Sequence, residues 1–249
     1  MSTPGGQRPA VSSQRPAASP LTGQAEDYLK AIYELQQGDE PAGTNALADR
    51  LGIAAASVSG MLQRLARLGL VKTERYHGTR LTDAGRTVAL QLIRRHRIIE
   101  SYLVTRLGYE WDDVHDEAER LEHAASPELI ERMAQDLGNP TSDPHGAPIP
   151  TAEGTVDERR FESLATLEPG TAARVARMSD RDPALLRYLG ERGIRPGARV
   201  RVESREPFDG AIVVTVGRER QSVSPAAAAK VWIDDGETKV VSLRGRKRS

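Results

Sequence analysis

The stretch Thr44–Thr82, "TNALADRLGIAAASVSGMLQRLARLGLVKTERYHGTRLT", decides the fold. Thr44 reads as the N-cap of a first helix and Gly52 as its C-cap. After "IAA", a second helix, "ASVSGMLQRLARLG", is closed by Gly69. "LVKTERYHGTRLT" then alternates apolar and polar residues around a His77-Gly78 turn, the pattern of a short hairpin. Helix, short turn, helix and hairpin in this order make a winged helix-turn-helix.

Such a motif reads DNA through the first turns of its second helix and holds phosphates with basic side chains. Ser57, Ser59 and Gly60 occupy those first turns, and Arg64 and Arg67 follow. Small residues there imply van der Waals readout, for example of thymine methyl groups. Thr44 and Arg50 on the first helix, and Arg75, Tyr76, His77 and Arg80 on the wing, complete the expected DNA face. The competing reading is a three-helix core with a solvated basic surface, or a protein-binding module of the same shape. Charge favours DNA. From Thr44 to Arg97 ten Lys/Arg stand against three acids, a surplus of seven positive charges. From Ile98 to Gly170 the sign reverses, with 17 acids against five arginines. The basic segment suits a polyanion and the acidic one suits cations.

Outward from this motif, residues 1–21 are rich in Pro, Ser, Gln and Ala and are expected to form a disordered tail. A helix capped by Thr22 carries Tyr28, Ala31, Ile32 and Leu35 on one face and ends before Gly38 and Pro41. After the hairpin, Thr82 caps a long helix whose apolar stripe includes Leu92, Ile99, Leu103 and Leu107. "WDDVHDEAERLEHA" makes a further helix. "SPELIERMAQDLG" makes another, with Ser126 as N-cap, Pro127 at N1 and Gly138 past the end. "NPTSDPHGAPIPTAEG" marks a boundary or an ordered loop. Short strands follow ("TAARVARM", "ARVRVESRE", "AIVVTVG", "QSVSP", "KVVSL"), interrupted by the helix "DPALLRYLGERG", as in a small β-barrel. The expected domains are a winged helix-turn-helix over 22–92, a helical dimerisation and metal-binding domain over 93–150, a linker over 151–163, a small β-barrel over 164–243 and a basic tail over 244–249. The fold class is mostly α with a small β-barrel.

Val114–His123, "VHDEAERLEH", concentrates titratable side chains. At about 100° per residue, His115, Glu119, Glu122 and His123 share roughly a 100° arc beside the apolar stripe of Val114, Ala118, Leu121 and Ala125. His96 and Glu100 repeat the device on the preceding helix. Carboxylates beside a core persist when they are paired or bound to a cation. Two helices with His and Glu at i, i+3 and i, i+4 spacing therefore suggest a metal site. The alternative is a set of surface salt bridges to Arg94, Arg95, Arg97 and Arg120. A metal-dependent hydrolase is weakened by the lack of HExxH, of a nucleophile motif and of a phosphate-binding Gly loop. The chain has no cysteine, which excludes disulfides, thiolate metal sites and thiol catalysis. No apolar run is long enough to span a membrane, so a cytoplasmic location is expected.

"AEDYLKAIYEL", "ALADRLGIAAASVSGMLQRLARLGLV", "LTDAGR", "RRHRIIESYL", "VHDEAERLEH" and "DPHGAPIP", in this order, resemble the diphtheria toxin repressor family of metal-dependent transcription regulators. The C-terminal part resembles the SH3-like (FeoA-type) domain that many members carry. The resemblance implies a repressor, not an enzyme, that binds a palindromic double-stranded operator as a homodimer, with no membrane or small organic partner. It implies two metal sites per chain. Asp27, Glu119, Glu122 and His123 stand at the primary ligand positions. His96, Glu100 and His115 stand at the ancillary ones, with Asp182 of the SH3-like domain and Asp143 before "PHG" as further ligands. Iron-type members carry Met and Cys where this chain has Asp27 and Glu119, so the resemblance is to the manganese-responsive branch. The implied cofactor is Mn(II), with Fe(II) or Co(II) as alternatives, and an iron(II)-dependent regulator is the runner-up. Some manganese-type members carry Glu where this chain has Lys30. The dimer interface is expected between Leu90 and Gly138, where apolar helical surface exceeds what one module can bury.

Overall fold

A computed structural model describes residues 21–36, 40–74 and 77–234. The expected terminal tails (residue 21 apart), Gly38, Arg75, Tyr76 and the strand "KVVSL" lie outside the described residues. Helix α1 (Gly23–Leu35) is followed by α2 (Thr44–Leu51), α3 (Ala55–Arg67) and the hairpin β1 (Val71–Glu74) and β2 (Gly78–Leu81). The winged helix-turn-helix is thus present. Its core is built by Leu29 and Ile32 of α1, Leu47 of α2, Val58, Leu62 and Leu65 of α3, and Val71. Thr22 caps α1 by accepting from the Ala25 N–H, and Gly52 ends α2 in the left-handed region at φ 66°. Thr44 is not a cap. Gly43 holds that position without a side-chain bond, and Thr44 is the first helical residue.

Thr82 accepts from the Gly85 N–H to start α4 (Asp83–Leu107), the axis of the molecule. Its first turns pack under the helix-turn-helix through Val88 and Ala89. Its middle packs with α5 (His115–Glu122) and α6 (Pro127–Asp136) through Ile98, Ile99, Leu103, Val114, Ala118, Ile130 and Ala134. Leu107, expected on the buried stripe, is 61% exposed. The stripe ends one turn earlier because Gly108 stops the helix at φ 73° and turns the chain away.

The C-terminal part holds β3 (Glu162–Ser163), a 3-10 turn (Leu164–Thr166), β4 (Ala172–Met178), α7 (Pro183–Glu191), β5 (Arg199–Arg205), β6 (Ile212–Val216), β7 (Glu219–Val223), α8 (Pro225–Ala228) and β8 (Val231–Asp234). The strands form one antiparallel sheet of order β3-β8-β4-β5-β6-β7. Among the described residues β3 and β7 do not pair, so the sheet is open rather than a closed barrel. Val175, Val200, Val202, Val214, Leu186 and Leu189 fill its core, together with Trp111 from the α4–α5 connection. Trp111 therefore fastens the helical part to the sheet. Among the described residues no helix is long and apolar enough to cross a membrane.

Candidate metal centre and DNA-reading face

The titratable side chains of α1, α4 and α5 form one polar network, buried at Lys30, His96, Glu100 and Glu122 and part-exposed at Asp27, His115, Glu119 and His123. At its outer end Asp27, Glu122 and His123 place one donor atom each within 4.8 Å of one another. His123 Nδ1 lies 2.8 Å from Glu26 Oε2. A carboxylate offers only lone pairs, so that nitrogen carries a proton and donates. When the ring is neutral, the lone pair is on Nε2, which lies 3.1 Å from Asp27 Oδ1 and 3.7 Å from Glu122 Oε1. Glu26, 7% exposed, thus aims His123 at the other two donors. Asp27 Oδ1 is buried with no hydrogen bond. Burial raises the Asp27 pKa, partly offset by His123.

Deeper in, His96, His115 and Glu119 make a second group. His96 is held at both ends. Its Nδ1 lies 2.6 Å from Glu122 Oε2 and its Nε2 3.0 Å from Glu100 Oε1. Burial opposes its charge, but the two carboxylates outweigh burial and raise its pKa to about 10. His115 Nδ1 lies 3.1 Å from His96 Nε2 and 3.2 Å from Glu100 Oε1. Glu100 is fully buried, and despite burial His96 and His115 hold its carboxyl well below the usual carboxylate range. Lys30, 6% exposed, reaches between the groups: its Nζ lies 2.6 Å from Glu119 Oε1 and 2.9 and 3.1 Å from the two oxygens of Glu122.

A third group joins Glu100 to His145 and Asp180. His145 Nε2 lies 2.7 Å from the Trp111 carbonyl, which only accepts, so Nε2 carries the proton and Nδ1 the lone pair. That Nδ1 is buried without a hydrogen bond, 3.8 Å from Glu100 Oε2, which is equally unbonded. Asp143 Oδ1 accepts from the His145 and Ala147 N–H groups. Its Oδ2 is unbonded, 3.3 Å from Arg97 Nε. Burial raises its pKa to about 6 against the pull of Arg97. The loop carrying Asp143 and His145 lies directly on β4. A Cβ on Gly146, at φ 84°, would stand 2.2 Å from the Ala176 carbonyl oxygen. Asp180 follows that strand.

Glu26, Asp27, Glu100, Glu119, Glu122, Asp143 and Asp180 thus face Lys30, Arg95, Arg97 and Arg177 as permanent cations. Protonated histidines supply further positive charge, and four buried atoms, Asp27 Oδ1, Glu100 Oε2, Asp143 Oδ2 and His145 Nδ1, have no hydrogen bond. Such a set fits a divalent cation: hard oxygens, imidazole lone pairs at His123 Nε2 and His145 Nδ1, further imidazoles that become ligands on losing a proton, and no sulfur. A surface cleft lined by Asp27, Lys30, His115, Asp116 and Glu119 connects it to solvent.

Three family models cover most of the chain. They are the iron dependent repressor N-terminal DNA binding domain over residues 20–79, the iron dependent repressor metal binding and dimerisation domain over 82–151, and the FeoA domain over 162–235. The iron-dependent repressor IdeR of Mycobacterium tuberculosis is 31% identical over 226 residues, spanning 86% of this chain and 98% of the relative. The chain belongs to the iron-dependent repressor family. Another relative, the diphtheria toxin repressor of Corynebacterium diphtheriae, is 35% identical over 151 residues, 61% of this chain and 65% of the relative. A manganese-dependent transcriptional repressor in complex with manganese is 42% identical with a TM-score of 0.79, over 84% of this chain and 99% of that one. The manganese regulator SloR is 33% identical with a TM-score of 0.70, over 84% and 97%. Members of the iron-dependent repressor family are thus metal-dependent transcriptional repressors, named for iron in some cases and manganese in others.

Against this family background, the expected residues fall as follows. Asp27, Glu122 and His123 come together, while Glu119 groups with His96 and His115 and is tied to Lys30. Asp182 joins none of the three groups. Its Oδ1 caps α7 by accepting from the Ala184 and Leu185 N–H groups, and Asp180 is the acid that faces Glu100. Glu26, His145 and Asp180 were not singled out in the sequence. The Asp-Pro pair at 182–183 is an N-cap signature that argues for the structural role of Asp182.

On the DNA-reading face expected for an iron-dependent repressor, Ser57, Ser59, Gly60, Arg64 and Arg67 are exposed on α3 opposite buried Val58, Leu62 and Leu65. Thr44 and Arg80 are half-buried beside them. Arg50 departs from expectation. Its guanidinium bonds Glu34 Oε2 at 2.7 and 2.9 Å, which turns it to α1 rather than outward.

Proposed function

We propose that this protein is a metal-activated DNA-binding repressor of manganese homeostasis that acts as a cytoplasmic homodimer on a palindromic operator. Asp27, Glu119, Glu122 and His123 hold the activating ion. His96, Glu100 and His115 serve the second site with Asp143, and His145 and Asp180 join them in place of Asp182. A bound divalent ion supplies two positive charges that draw the α1 carboxylate to the α5 ligands. Asp27 is the only one of these donors on α1, so it ties ion binding to the position of the DNA-reading head. Glu26 orients His123 through Nδ1, and Trp111 orients His145 through Nε2. On DNA, Ser57, Ser59 and Gly60 meet base edges, and Arg64, Arg80 and Thr44 hold the backbone. The observation that carries the reading is the Asp27–Glu122–His123 cluster across α1 and α5, with Asp27 Oδ1 unbonded.

An iron(II)-dependent repressor is the second reading, favoured by the names of the mycobacterial relatives and of two of the matching family models. The sulfur-free ligand set argues for Mn(II), since thiolate and thioether bias a site toward softer metals. The test is anaerobic DNA binding with Mn(II), Fe(II), Co(II) and Zn(II) at matched free concentrations. Activation first by Mn(II) supports the reading. Equal activation by Fe(II) removes the selectivity and leaves the metal-dependent repressor.

A further inference from the structure

Lys30 is the unexpected member of the network. An ammonium has three donors and no acceptor, and here three carboxylate oxygens lie within reach of it, at 2.6, 2.9 and 3.1 Å. Two belong to Glu122, of the outer group, and one to Glu119, of the inner group. Lys30 therefore stands where the two sets of donors meet. Both Glu122 oxygens are engaged, because His96 Nδ1 also holds Oε2. Asp27, one turn earlier on α1, and the His96 ring also act on Lys30, and Arg50, His115 and Asp116 line the cleft beside it.

An ion that takes Glu122 and Glu119 must draw them away from this ammonium. The bonds it displaces are charge-assisted, and the two to Glu122 are also buried, the strong kind. Resting on the metal-activated reading above, we propose that Lys30 is an affinity-setting residue of the metal centre. Its tethered ammonium competes with the incoming ion for Glu119 and Glu122. In the metal-free chain it neutralises buried Glu122 and half-buried Glu119 and holds α1 to α5. On metal binding it gives them up and turns toward the adjoining cleft. The metal concentration that activates the protein is raised accordingly.

The test uses full-length protein and Mn(II) alone, with affinity measured by competition against a chelating dye. Lys30→Met keeps the aliphatic stem and removes the charge. It is expected to bind Mn(II) at least about tenfold more tightly, with a lower unfolding temperature without metal and a larger rise on adding it. Lys30→Arg, which keeps the cation, is expected to show no such tightening. In wild type, the Lys30 amine is expected to resist acetylation without metal and to become reactive at saturating Mn(II), read by peptide mass spectrometry. That measurement decides the matter if Lys30→Met does not fold. A folded Lys30→Met with unchanged or weaker affinity overturns the competitor role, as does an amine that stays protected at saturating Mn(II). In both cases wild type still binds Mn(II), and the metal-activated reading stands. A wild type that binds no Mn(II) overturns both.

Discussion

Loading the centre with metal should release protons, and His96 sets the number. In the metal-free chain its two nitrogens face the carboxylates of Glu122 and Glu100, and its pKa lies at about 10. At pH 7, well below that value, the ring is almost entirely charged. A metal ligand must be the neutral imidazole. Full loading should therefore release about one proton per chain from His96 alone, with further fractions from His115 and His123, whose pKa values are also raised by neighbouring carboxylates against burial. Mn(II) affinity should then rise about tenfold per pH unit between pH 7 and 9. Stability of the metal-free chain should move the other way. The His96 contribution is present in full below the ordinary histidine value of about 6.5 and is lost as pH climbs toward about 10. Calorimetric titration of Mn(II) at pH 7 in buffers of different ionisation heat counts the protons. Release of less than about half a proton per chain at saturation would refute this charge assignment.

Other expectations follow from single positions. Gly60→Ala should stabilise the metal-free protein by about 0.5–1 kcal/mol, because a Cβ there meets nothing within 4 Å, yet should weaken operator binding several-fold; equal or tighter DNA binding would take Gly60 off the DNA face. Asp180→Asn should lower Mn(II) stoichiometry from two to one per chain while metal-free stability changes by less than about 0.5 kcal/mol; retention of two ions would remove Asp180 from the centre. Leu129→Glu places a charge on one of the exposed apolar side chains of the 90–138 segment, which also include Leu107, Tyr109 and Leu121. With Leu129 44% exposed, each copy forfeits about 1 kcal/mol of burial, so across a two-fold interface the dimer should dissociate about thirtyfold more readily by sedimentation. An unchanged dimer would move the interface elsewhere.

Most local signals in the sequence held, Thr44 as an N-cap excepted. Thr22, Thr82 and Ser126 cap the helices they precede, Pro127 opens α6, and Gly52 takes the left-handed turn. The spacing of His96 with Glu100, and of His115 with Glu119, also put those side chains on inner faces because helical period is a local property. What was illegible depends on distant parts of the chain. Trp111 looks like the start of a helix but fills the core of the C-terminal sheet. His145 and Asp180 meet Glu100 only because the 143–146 loop lies on β4, and no periodicity encodes that contact. Glu26 reads as an ordinary acid in a first helical turn, and Arg50 as a free basic residue until Glu34 appears opposite it. β3 and β8 were missed, being two and four residues long.

The central claim is that an ion held by Asp27 together with the α5 donors couples metal to the DNA-reading head. Its most direct test is the Mn(II) dependence of operator affinity in wild type and Asp27→Ala, measured side by side with the same proteins in excess chelator. Wild type should bind tightly and in a salt-sensitive manner only with Mn(II). Asp27→Ala should be folded and dimeric, with weak DNA binding that barely responds to the metal. Wild type binding its operator equally tightly in chelator, or Asp27→Ala responding to Mn(II) as wild type does, would contradict that claim.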